Sequence, residues 1–159
     1  MDVVSQIKAE MDADWLPALY LGRIRVQRTR AVTLDIPERE NDPQINYTLL
    51  GIELKVGRRR IACPDLATAR YLRVFARIGS REVALPYNIT KISVEADVLE
   101  TSWHRAFLLL DEIAADKTPR SRASLRAKLV KTIRIELAEA GAGEVMPEFV
   151  SKASTRNAS

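Results

Sequence analysis

Two long amphipathic stretches near the C-terminal end constrain this chain more than any other feature. Residues 94–115 set Leu99, Ser102, Ala106, Leu109, Leu110 and Ile113 on one side at helical spacing, and Trp103 and Phe107 widen that side. Ser93 is the expected cap. Residues 118–140 set Leu125, Leu129, Ile133 and Leu137 four apart. Thr118 and Pro119 suit the cap and first position of this second stretch, and Gly141 and Gly143 suit its end. Only a short turn near Lys117 separates the two, so they are expected to return as an antiparallel helix pair.

Two further helices are predicted. Asp65 after Pro64 reads as an N-cap and Gly79 as the residue that ends the helix, with Leu66, Ala69, Leu72, Phe75 and Ala76 as its core row. A shorter one over 2–13 carries Val3, Val4, Ile7 and Met11, with Asp2 as its cap and Pro17 as its stop.

The remaining segments alternate. Over 19–36, Ile24, Val26, Val32 and Leu34 oppose Arg23 and Arg25, a strand pattern interrupted at 27–30 by a bulge or break. Residues 37–44 form a charged loop with two prolines. "INYTLLGIELKV" and "RRRIAC" read as a hairpin about Gly57, with Ile52, Leu54 and Val56 on one face and Glu53 and Lys55 on the other. Residues 81–87 read as a short strand, with Pro86 at its end or on an edge.

This order predicts an α+β fold. A small antiparallel or mixed sheet of three to four strands carries helices on one face, beside the C-terminal helix pair. The piece over 58–87 is expected to supply one parallel crossover. The 159 residues, 47% of them apolar, suffice for a single globular domain over 1–142, followed by a flexible tail over 143–159.

Composition removes several chemistries. Cys63 is the only cysteine and His104 the only histidine, which excludes an internal disulfide, a multi-cysteine zinc site and a histidine-pair metal site. Cys63 reads as a buried structural thiol and His104 as an ordinary packed or surface residue. No phosphate-cradling glycine loop or nucleophile elbow is present. The expectation is therefore no cofactor and no metal. The start of the chain lacks a basic segment followed by an apolar run, and the longest apolar run is "AFLLL". These features predict a soluble, cytoplasmic protein without a membrane partner.

The net charge of +4 permits a polyanionic partner. Basic residues cluster at Arg58, Arg59 and Arg60, at Arg70, Arg73 and Arg77 along one helical stripe, and at Arg120, Arg122, Arg126, Lys128, Lys131 and Arg134. Arg23, Arg25, Arg28 and Arg30 could extend that surface. Against this, the 94–115 helix and its end carry Glu95, Asp97, Glu100, Asp111, Glu112 and Asp116 against one basic residue, Arg105, and this flank could face and neutralise the basic helix beside it.

Three functions are read from these patterns. The first is a non-enzymatic module that binds nucleic acid through the basic faces. The second is an adaptor or complex subunit that docks a protein through its amphipathic helices, with an apolar patch at Trp103 and Phe107. The third rests on Asp35, Glu53 and Lys55, which have the bare skeleton of a D…ExK nuclease motif. There the two carboxylates would hold Mg²⁺ and the lysine would polarise water. Pro37 lies two residues after Asp35, where that motif has a proline immediately before its aspartate. The strand also leads into a hairpin rather than a helix. Glu53 and Lys55 therefore read first as a solvated strand face.

Overall fold

The computed structural model describes residues 2–143. Helix α1 spans Val3–Met11 and buries Val4, Ile7 and Met11. Its N-cap forms as the sequence predicts: Asp2 Oδ1 accepts the Ser5 N–H at 2.7 Å. A single 3₁₀ turn, Asp12–Asp14, leads to Trp15.

The strand expected from residue 19 is not there. Residues Leu16–Leu19 form helix α2, which runs on as a π-helical turn over Tyr20–Ile24. Pro17 begins this helix instead of ending one, because its ring is tolerated in the first turn. The deciding residues are Leu16, Tyr20 and Ile24, which recur four apart and are all buried. The alternation of Ile24 with Val26 pointed to a strand, yet Val26 is exposed. Tyr20 fixes the turn: its hydroxyl donates to Gly141 O at 2.8 Å and accepts the Ala84 N–H at 3.1 Å.

The strands divide into two antiparallel sheets. β1 (Thr29–Thr33) pairs with β5 (Glu82–Pro86), with Ala31 opposite Ala84 and Val32 opposite Val83. β2 (Gln44–Thr48), β3 (Gly51–Val56) and β4 (Arg59–Cys63) form a meander in that order. Gly57 adopts a positive φ of 61° in the β3–β4 turn, as the hairpin requires. A second hairpin turn at Leu49–Leu50 splits "INYTLLGIELKV" into two strands. The parallel crossover expected over 58–87 does not form, because β5 pairs with β1 and not with β4. Ala31 and Val32 give Ala84 and Val83 small apolar partners, whereas β4 opens with exposed Arg59 and Arg60.

Helix α3 (Leu66–Ile78) lies at the centre. It packs against the three-stranded sheet, α4 and α5. Ala69, Tyr71, Leu72, Val74, Phe75, Ala76 and Ile78 are all buried, a wider face than the predicted row. Asp65 Oδ1 caps it by accepting the Thr68 N–H at 2.7 Å, and Gly79 ends it at φ 87°.

Helix α4 spans Ile89–Ile113 and α5 spans Pro119–Ala140, the expected helix pair. α4 begins before Ser93 because Asn88 Oδ1 accepts the Thr90 N–H at 3.1 Å. Trp103 and Phe107 are buried, with ring centres 4.5 Å apart, so the patch expected there is part of the core. The tail expected at 143–159 lies outside the described residues from 144 onward. Among the described residues, no helix is long and apolar enough to cross a membrane.

Candidate nucleic-acid interface

Several of the arginines singled out in the sequence have carboxylate or carbonyl partners within the chain. Arg70 binds Asp97 and, at 2.7 Å, Glu100, whose other oxygen receives Arg73 at 3.0 Å. The stripe thus fastens α3 to α4. Burial alone would raise the Glu100 carboxyl, but hydrogen bonds from Arg70 and Arg73 outweigh it and hold the group below its ordinary value. Arg77 is half-buried, and burial followed by the Arg73 charge lowers its pKa. On the meander, Arg59 binds Asp35 and Arg60 reaches Glu53 at 3.2 Å.

On α5, Arg126 grips Glu40 through Nε at 2.9 Å and Nη2 at 2.6 Å, and lies 4.2 Å from the Phe107 ring centre. Lys128 pairs with Asp2 at 3.2 Å, Arg134 donates to Ile78 O at 2.9 Å, and Arg122 donates to Lys117 O. Of the acidic residues of α4, Asp111 acts on Arg126 as expected, but those of its first half do not face α5. Glu95, Asp97 and Glu100 turn toward the π-helical turn and α3 instead. Arg58, Arg120 and Lys131 make no ion pair among the described residues.

The nuclease skeleton is not brought together. Glu53 and Lys55 alternate with Leu54 and share the solvent-facing side of β3 with Arg60, which lies opposite Lys55. Asp35 is held by Arg59, which lies opposite Val56 and therefore on the other side. Each carboxylate already has its own arginine. No group of three or more histidine, cysteine, aspartate or glutamate side chains placed to hold a metal occurs among the described residues. Cys63 is buried, and burial pushes its thiol pKa up.

A different set of basic groups converges around a groove. It is built from three segments: the end of the π-helical turn (Arg23, Gln27, Arg28), the β5–α4 link (Tyr87, Asn88) and the first turns of α4 (Lys91, Glu95). The Tyr87 N–H donates to Arg28 O at 3.0 Å and ties the first two segments together. Lys91 and Glu95 are four apart and so share a helix face.

Glu95 is 4% exposed and organises the floor: Arg23 Nε reaches one carboxylate oxygen at 2.7 Å, and Gln27 Nε2 reaches the other at 3.0 Å. The Arg28 guanidinium sits 5.9 Å from the Tyr87 ring centre, within cation–π range. The open cavity measures about 700 Å³. Three cations line it against one carboxylate that is already paired. The start of α4 adds the positive end of a 25-residue helix.

Sequence reasoning placed Arg23 and Arg28 in a loose basic surface but did not find Tyr87, Asn88, Lys91 or the role of Glu95. No local pattern joins these residues, since the groove depends on β1 pairing with β5. Arg25, counted with them, turns away and donates to Ala140 O at 3.1 Å. A second surface feature also lacked a periodic signal: Leu49 and Leu50 are fully exposed at the β2–β3 turn, with exposed Tyr47 beside them.

No family model matches the chain, and no curated protein or solved structure matches it significantly.

Proposed function

We propose that this chain is a non-enzymatic nucleic-acid-binding module whose contact surface is the groove of Arg23, Arg28, Lys91 and Tyr87. The observation that carries this reading is the meeting of Arg28 and Lys91 on one open cavity whose carboxylate, Glu95, is held by Arg23 and Gln27. A phosphodiester backbone carries one negative charge per nucleotide, and each contact with a cation releases condensed counterions. Most of the basic residues on α3 and α5 have carboxylates or carbonyls as partners and offer less.

The test is fluorescence anisotropy of labelled oligonucleotides at two salt concentrations. About two phosphate contacts, on Arg28 and Lys91, predict a log K against log salt slope near −1.5 to −2. Arg28→Glu combined with Lys91→Glu should remove binding while thermal unfolding stays in place. Absence of binding at low salt would overturn the reading.

The Leu49–Leu50 turn favours a second reading, a complex subunit that docks a protein partner. Solvent-exposed leucines at a hairpin tip bury apolar area only when covered. A partner retained by the wild-type chain and lost on Leu49→Ser with Leu50→Ser, at unchanged thermal stability, would support it.

A further inference from the structure

We infer that the groove takes a single-stranded segment, with one base stacked at Tyr87 and the neighbouring phosphates on Arg28 and Lys91. This rests on the nucleic-acid reading above and specifies its ligand class. Three observations carry it.

Tyr87 lines the cavity between the cations, and an aromatic ring there serves a purely electrostatic grip poorly. A ring beside basic groups is the combination that holds unpaired bases, because every base has a face to stack and every nucleotide a phosphate to neutralise. Arg28 lies over the same ring and adds a second planar surface on which a base can stack.

The shape points the same way. The open groove of about 700 Å³ has room for one or two nucleotides. Duplex readers instead project a helix or a two-stranded ribbon into a groove of the nucleic acid. Here the start of α4 forms the wall of the cavity, and the β1–β5 ribbon is packed into the core through Val83, Ala84 and Leu85. Base faces inside a duplex are covered by their neighbours and are not free to stack on a side-chain ring.

The test compares a single strand of about 12 nucleotides with the matching duplex at one salt concentration, by anisotropy. The single strand should bind at least about ten-fold more tightly, and Tyr87→Ala should weaken it by about ten-fold, the size expected for one lost stack. Tyr87→Phe should keep the affinity. If Tyr87→Ala unfolds, the wild-type preference and the Tyr87→Phe result decide. Equal affinity for both forms, or Tyr87→Ala indistinguishable from wild type, would overturn the inference and leave the nucleic-acid reading standing. No binding of either form would overturn both.

Discussion

Glu95 is the residue on which the groove's shape and charge both turn. It places Arg23 and Gln27, yet its carboxylate repels the phosphates that Arg28 and Lys91 would bind. These two roles separate by substitution. Glu95→Gln keeps an oxygen for Arg23 and removes the charge, so oligonucleotide affinity should rise by about three- to ten-fold. Glu95→Ala removes the anchor as well and should bind more weakly than Glu95→Gln. Anisotropy titrations of both variants read the difference. Gly79 is equally decisive for the fold. Its φ of 87° is unfavourable for any residue with a Cβ, and a Cβ there would collide with the Arg39 backbone. Gly79→Ala should therefore destabilise the protein by about 2 kcal/mol or more, measured by urea unfolding. The sequence announced this glycine through the helix it ends. It gave no sign of the Arg39 contact, because that loop is remote in the chain.

At the scale of elements, α3 and α5 were legible because period and caps agreed, Asp65 with Gly79 and Thr118 with Pro119, whereas α4 was legible by period and misread at its cap. The segment at 16–24 was not. Its helical set, Leu16, Tyr20 and Ile24, spans barely two turns and overlaps an equally good period-2 set. The split into two sheets was hidden for another reason. Strand pairing is a choice among partners, and nothing local to β5 specifies β1 over β4. The groove inherits that blindness, since it exists only where β1, β5 and α4 meet. The basic run on α5 was fully legible as sequence, whereas its partners Glu40, Asp2 and the Ile78 carbonyl were not, because they lie far away in the chain. Reversing Arg120, Arg122 and Lys131 to glutamate should therefore change oligonucleotide affinity less than reversing Arg28 and Lys91, when both variants are compared at the same salt by anisotropy.

For the whole molecule, ion pairs tie distant segments together, and acid should loosen several at once. Asp2 is held down to about 2, mainly by its hydrogen bonds from Ser5 and then by Lys128 on α5. Glu100, between α3 and α4, is also held below its ordinary value. A depressed carboxylate binds its proton more readily in the unfolded chain, so its contribution is full above the unfolded pKa and is lost as pH falls through the folded one. Stability should thus hold near neutral pH and decline from about pH 4 toward pH 2. Glu100→Gln should flatten part of that decline, as followed by thermal unfolding across the range. The same network pairs cations on α3, α5 and the meander, so the proposed contact surface of this chain of net charge +4 is the groove. The most direct test of that claim is a ¹⁵N–¹H correlation spectrum of the labelled protein titrated with a single-stranded oligonucleotide. Shifts concentrated at residues 23–28 and 87–95 are predicted. Shifts concentrated at 118–134, or none at all, would contradict the account.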